Sequence, residues 1–515
     1  MPENIIVEIG SGQLRGQLLD GVAAFRGIPY GESVSGCRRW QRCRPVPPWK
    51  GVRNALEFGP RAIQPESRDM GVTSSQLEAL MLEGSPPDDR WRQQSEECLT
   101  LSVWTPEPHG SRRLAVMFWC HGGKYFGETP PVWWFDGGNL ARSGDVVVVT
   151  VRHRVGALGF LHLADLPGGS AYEDASNIGM LDLVDALKWV RQNIAQFGGD
   201  PENVTVFGES GGALKVSVLL RMPDARGLFH KAIVQSGSQM VALSRDEGTG
   251  NARALLAELG LGPDDVPALI AIPPEDLVRA QVRLVPNLWR RSRDVRSAEF
   301  EPIIDGRTLP LDSFGPAAWP VSDDVPLLVG TCANETTFLL SSLSEVFEMG
   351  EAQMRGMIAG MFGDQADQVL NTYLANRPGA RPSEILFAIT GDFIFRRRAI
   401  RMAELKAGQH GAPVYMYVLE FRTDVHGGVY GTPHILDLPL VFAHPDHPIL
   451  GSDPARFVVS RQMSGAWTAF ARTGNPNIDL LPHWPAYTTT DRATMHFEEH
   501  ARLVLDPRSS ERILW

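Results

Sequence analysis

Short runs of apolar residues recur along this chain, with longer amphipathic stretches between them. Apolar runs that lack polar alternation are typical of strands buried on both faces of a parallel sheet. Such predicted strands fall at residues 114–120, 145–151, 204–207, 326–330 and 415–421.

Residues 177–197 lie between the second and third of these strands. Leu181, Val184 and Leu187 recur there at roughly helical spacing, and GGDP at 198–201 is a strong helix breaker. A strand, a helix and a second strand form a right-handed βαβ unit. The predicted fold class is therefore α/β, with a mostly parallel central sheet flanked by helices.

Two other segments, approximately 240–325 and 343–410, carry helical stretches. We expect them to be insertions over the carboxyl edge of the sheet, where α/β proteins bind ligands. Because no repeat or linker divides the chain, we expect one domain spanning residues 1–515.

Charge and composition exclude several classes of function. The formal net charge is −11, whereas nucleic acid and anionic membranes select a basic face. We find neither a signal-peptide pattern nor an apolar run of about 18 residues, so no membrane segment is expected. The five cysteines are odd in number and fit no zinc spacing, which favours a reduced, cytoplasmic protein.

The strongest chemical motif is Gly208-x-Ser210-x-Gly212, which follows the strand predicted at 204–207. A serine exposed on a strained strand-to-helix turn needs small neighbours, and residues 213–220 continue as a predicted helix. Ser210 is thus a candidate nucleophile. The alternative is an ordinary turn serine.

A serine nucleophile needs a histidine base and an acid that orients it, in the chain order Ser, acid, His. Glu335 follows the predicted strand at 326–330, and His434 follows the one at 415–421 in the loop GTPH. Rivals are Asp305 in a predicted turn, Asp323 and Asp324 before a strand, and His426, His444 and His447, the last two predicted at the surface.

The segment WCHGGK at 119–124 follows the first predicted strand and matches an HGG-type oxyanion loop. Its glycines would let backbone N–H groups approach a developing negative charge. The alternative is a plain glycine turn.

These motifs, with several further blocks in order, resemble the type-B carboxylesterase and cholinesterase family of α/β hydrolases over nearly the whole chain. Many ordered blocks are more specific than any single motif. The blocks are FRGIPY at 25–30, ECLTLSVWTP at 97–106, NIGMLD at 177–182, FGGDP at 197–201, QSG at 235–237 and WTAFA at 467–471.

The resemblance implies Ser210 as nucleophile, His434 as general base and acid, and Glu335 as the orienting carboxylate. It further implies three groups of supporting residues. The oxyanion donors are the N–H groups of Gly123, Lys124 and Gly211; the triad supports are Glu209 and Ser236; the structural ion pairs are Arg39 with Glu96 and Arg154 with Asp182.

Departures from the family pattern are informative. Gly211 stands where alanine is commoner, and Lys124 where glycine or alanine is usual. The Lys124 side chain either reaches the pocket and favours anionic substrates, or points to solvent or pairs with an acid. Ile63 replaces the family's cysteine partner of Cys98, so the usual disulfide cannot form.

Two more departures lie near the expected site. His153 replaces a tyrosine and is expected to be a packed core histidine. Asp437 replaces a glutamate three residues after His434, and its shorter side chain predicts a longer or water-bridged hydrogen bond.

The expected function is serine carboxylic-ester hydrolysis through an acyl-enzyme, on aryl or other bulky small-molecule esters. No cofactor or metal is expected, and the protein would be a monomer or homodimer. Alternatives are carbamate, amide or thioester hydrolysis by the same residues, and a non-catalytic binding protein of the same family. Candidate apolar pocket walls, which could also be core, are Phe126, Trp133, Trp134, Trp289, Leu339 and Phe393.

Overall fold

The computed structural model describes residues 3–66, 75–83, 93–109, 112–128, 136–263, 265–291 (285–291 as backbone only), 300–315 and 321–515. The chain groups into two compact units. The first comprises Met1–Val72, Pro86–Ile233 and Gln239–Val325, and the second comprises Thr73–Ser85, Val234–Ser238 and Pro326–Trp515.

The strands confirm the apolar-run predictions to within a few residues. They are β1 Glu3–Ile9, β2 Gly12–Leu19, β3 Val22–Pro29, β4 Val52–Asn54, β5 Thr100–Thr105, β6 Leu114–Cys120, β7 Val147–Val151, β8 Gly199–Glu209, β9 Lys231–Gln235, β10 Leu327–Cys332, β11 Val414–Leu419, β12 Thr494–Phe497 and β13 Arg502–Val504.

The described residues form sixteen α-helices, among them the two predicted at 177–197 and 213–220. They are α1 Gln76–Leu82, α2 Gly138–Gly144, α3 Ile178–Asn193, α4 Gly211–Leu219, α5 Arg245–Glu258, α6 Val266–Ala271, α7 Pro274–Arg291, α8 Thr336–Leu339, α9 Ser344–Phe347, α10 Glu351–Phe362, α11 Ala366–Asn376, α12 Pro382–Gly391, α13 Arg397–Gly408, α14 Asp437–Val441, α15 Ala455–Thr473 and α16 Ser509–Arg512.

In the first unit the strand order is β1-β2-β3-β5-β7-β6-β8, with β4 paired to β2. The neighbours β1–β2, β2–β3 and β3–β5 pair antiparallel, whereas β4 is parallel to β2, and β6 is parallel to both β7 and β8. Every residue of β6 is buried, as expected for a parallel strand covered on both faces. The predicted helix at 177–197 is α3 followed by a 3₁₀ turn, and Gly198 ends it at φ +78°.

In the second unit β10, β11 and β12 are parallel, and β13 closes the edge antiparallel to β12. The segment expected to be helical at 343–410 contains α9 to α13. A π-helical turn, Asp392–Arg396, joins α12 to α13. The other helical segment, 240–325, supplies α5 to α7 of the first unit.

Both expected ion pairs are confirmed. Arg154 Nη2 lies 2.6 Å from Asp182 Oδ1, and both side chains are buried. Arg39 Nε lies 2.6 Å from Glu96 Oε1. All five cysteines are free thiols, and Cys98 is buried. No helix within the described residues has the length and apolar character needed to cross a bilayer.

Candidate active site

Ser210 lies between the end of β8 and the first residue of α4, with φ 53° and ψ −121°. L-residues rarely adopt this conformation, and such strain concentrates at functional positions. A Cβ on Gly208 would lie 2.5 Å from the carbonyl carbon of Gly212, and one on Gly212 would lie 2.0 Å from the Cys120 oxygen. The turn therefore requires both glycines of the G-x-S-x-G motif.

The loop after β6 folds back tightly and meets the start of α4. Gly123 has φ +87°, and a Cβ there would lie 2.6 Å from the Gly127 oxygen. Lys124 also has a left-handed φ, +49°, and its backbone contacts Gly211. The structure therefore brings Lys124 and Gly211, two of the expected oxyanion donors, side by side.

In the second unit His434 and Glu335 form a buried pair. His434 Nδ1 donates to Glu335 Oε2 at 2.6 Å, while the Cys332 N–H donates to Glu335 Oε1 at 2.8 Å. Both side chains are almost fully buried. Because Nδ1 carries the donated hydrogen, a neutral His434 has Nε2 as a proton acceptor, which is the tautomer that a general base needs.

Asn334 links the loops that carry these two residues by two hydrogen bonds. Its N–H donates to the Thr432 oxygen at 3.0 Å, and its Oδ1 accepts from the Thr432 N–H at 3.0 Å. Gly431, at φ +63°, sits so close that a Cβ would lie 2.4 Å from Asn334 Oδ1. These contacts fix the position of His434 relative to Glu335.

Two aromatic rings that the sequence did not indicate lie beside His434. Phe395 lies 4.9 Å and Phe338 lies 6.2 Å from the imidazole, centroid to centroid. Phe393, the predicted wall, instead packs at 5.1 Å from Phe362 and 5.5 Å from Trp515. Residues two apart in a helical segment point to opposite sides, so Phe395 rather than Phe393 faces the histidine.

The other predicted pocket residues have varied placements. Leu339 is half exposed in α8, which immediately follows Glu335. Phe126 is half-buried, and the exposed Lys124 side chain has its Nζ 6.0 Å from that ring's centroid. Trp133, Trp134 and the side chain of Trp289 lie outside the described residues.

The expected triad supports are both buried. Glu209 is the last residue of β8. Ser236 has φ 52° and donates its N–H to the Gly330 oxygen at 2.9 Å, while its hydroxyl has no hydrogen-bond partner among the described residues. A supporting hydrogen bond from the Ser236 hydroxyl remains a prediction.

Asp437 is fully buried three residues after His434. Its Oδ2 accepts from Gln235 Nε2 at 2.9 Å and from the Tyr417 hydroxyl at 3.0 Å, while its Oδ1 has no hydrogen-bond partner among the described residues. The expected longer or water-bridged bond stays a prediction. Burial, reinforced by the charge of Glu335, raises the pKa of Asp437 to about 6. A carboxylate that is protonated more easily than usual therefore lies beside the histidine–glutamate pair.

The structure shows what three of the rival candidates, Asp305, His444 and His447, do in the fold. Asp305 Oδ1 accepts from the N–H groups of Arg307, Thr308 and Leu309, as a turn residue does. His444 and His447 were expected at the surface, which is wrong: both are buried, and burial lowers the pKa of His447 to about 3. Within the described ranges no group of three or more His, Cys, Asp or Glu side chains could hold a metal ion.

Known carboxylesterases and related hydrolases match this chain over nearly its full length. The sequence model of the carboxylesterase family matches residues 3–513. The para-nitrobenzyl esterase of Bacillus subtilis is 33% identical, over 98% of this chain and 97% of its own. The phenmedipham hydrolase of Pseudarthrobacter oxydans is also 33% identical, over 95% of this chain and 94% of its own. The crystal structure of a Geobacillus stearothermophilus carboxylesterase superimposes with a TM-score of 0.82 at 34% identity, covering 99% of each chain.

Proposed function

We propose that this chain, which belongs to the carboxylesterase family, hydrolyses carboxylic esters through an acyl-enzyme formed on Ser210. The α/β-hydrolase fold expected from the sequence is confirmed by its structural relatives. The observation that carries the proposed mechanism is the buried His434–Glu335 hydrogen bond of 2.6 Å, which sets the histidine tautomer for accepting a proton at Nε2.

In the proposed reaction the Ser210 hydroxyl attacks the ester carbonyl carbon while His434 accepts its proton. The N–H groups of Gly123, Lys124 and Gly211 stabilise the oxyanion, each by about 3 kcal/mol in the transition state. Collapse of the tetrahedral intermediate expels the alcohol, which takes the proton from His434. A water molecule, activated by His434, then hydrolyses the acyl-enzyme and regenerates Ser210.

We propose aryl or other bulky small-molecule esters as the substrate class. Phe338 and Phe395 beside His434 supply apolar surface for an aromatic group. The names of two relatives, a para-nitrobenzyl esterase and a phenmedipham hydrolase, point to aromatic substrates as well. Carbamate and amide hydrolysis use the same residues, so a panel of matched aryl esters, carbamates and anilides ranks the three bond types.

The test of the mechanism is covalent labelling with a fluorophosphonate probe, followed by peptide mapping. We expect one labelled residue, Ser210, and no labelling in Ser210→Ala. That variant should keep its fold and lose about 10⁴- to 10⁶-fold in kcat. Retained esterase activity in Ser210→Ala, or a wild-type protein that neither reacts with the probe nor hydrolyses any ester, would overturn the proposal.

We further propose that the protein works in the cytoplasm. The free state of all five cysteines supports a reducing compartment. Acid quenching of intact cells, followed by differential alkylation of the denatured protein, tests this: all five thiols should be recovered reduced.

A further inference from the structure

Lys215 is a fully buried lysine on α4, one turn after Gly211. Lysines are almost never fully buried unless they pair with an acid. Among the described residues Lys215 makes no ion pair with an acid: its Nζ donates to the His121 carbonyl oxygen at 2.9 Å and lies 3.4 Å from the ring Nδ1 of the same residue. The ammonium therefore holds the first residue of the HGG loop.

The His121 ring extends this contact toward the expected oxyanion donors. Its Nδ1 lies 2.9 Å from the Gly122 carbonyl oxygen, and because a carbonyl can only accept, Nδ1 must donate there. That carbonyl belongs to the same peptide group as the Gly123 N–H. A hydrogen bond to the oxygen of a peptide group orients the group and polarises its N–H. Lys215 thus fixes the 121–122 peptide, and the His121 ring fixes the 122–123 peptide.

The ring of His121 is itself held in place. It stacks on His153 with centroids 4.7 Å apart and planes 19° apart, and His153 Nδ1 lies 2.8 Å from the Arg154 oxygen. Burial and the charge of Lys215 hold the pKa of both imidazoles well below the usual range. The stack is therefore neutral near pH 7, and its two rings add no positive charge beside Lys215.

Burying the Lys215 ammonium group at this position lowers the stability of the folded protein. Burial lowers the pKa of Lys215 to about 7, even though Cys120 and Glu128 act in the opposite direction. An apolar side chain of similar shape at this position would avoid that desolvation. Proteins retain such unfavourable groups mainly at functional sites.

We propose that Lys215 is a positioning residue for the oxyanion loop: its hydrogen bond to the His121 carbonyl oxygen holds the 121–122 peptide, from which the chain runs directly into the 122–123 peptide, and so helps to aim the Gly123 N–H at the reacting carbonyl. This inference rests on the proposed ester hydrolysis through Ser210. It assigns Lys215 no direct contact with the substrate.

The test is Lys215→Met, which keeps most of the side-chain length and removes the ammonium. With p-nitrophenyl acetate we expect kcat to fall about 10- to 100-fold with KM nearly unchanged, because only oxyanion stabilisation weakens. A trifluoromethyl ketone, whose carbonyl adds the Ser210 oxygen to form an oxyanion, should bind more weakly by a similar factor. The melting temperature should rise, since a buried charge is removed.

Lys231→Met is the matched control. Lys231 is also almost fully buried, contacts Asn203, and has a pKa lowered to about 8 by burial. Its replacement should leave kcat and inhibitor affinity unchanged. If Lys215→Met does not fold, Lys215→Gln, which keeps an N–H donor on a shorter side chain, is measured in the same way and should show a smaller loss of kcat.

Wild-type kcat and inhibitor affinity in the folded Lys215 variant would overturn the inference. So would a parallel fall in kcat and melting temperature with unchanged inhibitor affinity. Fluorophosphonate labelling separates the two proposals: a probe that labels Ser210 in both proteins leaves the proposed function standing when the Lys215 inference fails, whereas no labelling in wild type contradicts the function itself.

Discussion

Gly211 and Lys124 are in direct backbone contact: a Cβ at position 211 would lie 2.1 Å from the Lys124 amide nitrogen and 2.4 Å from its Cα. Real Cβ atoms do not approach other atoms this closely. An alanine at 211 would therefore clash with the backbone of the loop in its present position. The two departures from the family pattern, glycine at 211 and lysine at 124, are therefore one structural feature of this protein.

Gly211→Ala should consequently impair catalysis. The added methyl group must displace Lys124 or the start of α4, and both carry proposed oxyanion donors. We expect kcat for p-nitrophenyl acetate to fall by about 10²–10³-fold, the loss typical of one misplaced donor. Steady-state kinetics, with circular dichroism to verify folding, measures this.

The double variant Gly211→Ala/Lys124→Gly provides the control. Glycine at 124 adopts φ +49° without strain and lets the loop move away from the new methyl group. We expect the second substitution to restore at least part of the lost kcat. Full activity of Gly211→Ala alone would contradict the close contact.

Asp437→Asn should stabilise the protein at alkaline pH. The pKa of Asp437 is about 6 in the folded state and about 3.9 in an unfolded chain, so the folded state binds more protons between these values. Wild-type stability therefore falls as pH rises from about 4 to 6, by about 3 kcal/mol from this group. Urea unfolding should show the variant more stable than wild type at pH 8 and nearly equal at pH 4.

Asp424→Asn is the control of opposite sign. The Ser452 hydroxyl and N–H hold the pKa of the exposed Asp424 below its usual value, so its ionisation favours folding above the unfolded pKa. This variant should not gain stability at pH 8. A loss of stability at pH 8 in Asp437→Asn would contradict the raised pKa.

Alkylation by iodoacetamide at pH 8 should modify Cys37 quickly and leave activity unchanged. Cys37 is exposed, whereas Cys98, Cys120 and Cys332 are buried. Burial raises the pKa of Cys120 to about 12, so almost no reactive thiolate forms beside the proposed oxyanion loop. Peptide mapping of the native enzyme measures this, with Cys37→Ser as the control; rapid labelling of Cys120 with loss of activity would contradict it.

The candidate site could be predicted from sequence where its signals are local. Ser210 was indicated by a strand, flanking glycines and a following helix within a few positions, and β6 was predicted from its apolar run alone. Glu335 and His434 were indicated because each follows a predicted strand. These signals depend on short-range sterics and on burial of apolar strands, which neighbouring residues largely decide.

Other features depend on contacts between distant segments. The apolar neighbours of Lys215, ALKVSVLL at 213–220, favour a buried helix. They do not show that the lysine itself is buried against His121, since a lysine on a helix is ordinarily solvated. Phe393 and Phe395 are equally apolar, and only the direction of the π-helical turn selects Phe395 for His434. His444 and His447 are polar loop residues, and their burial follows from packing that no local pattern encodes.

The sequence by itself determined the α/β class, the family and the identity of the candidate catalytic residues, because apolar periodicity and turn chemistry are short-range properties. Only the tertiary structure decided the contact of Gly211 with Lys124, the pairing of His434 with Glu335, and the burial of Lys215 against His121 of the HGG loop. Those depend on backbone approach and desolvation between segments far apart in the chain, and they arise only when the chain is folded.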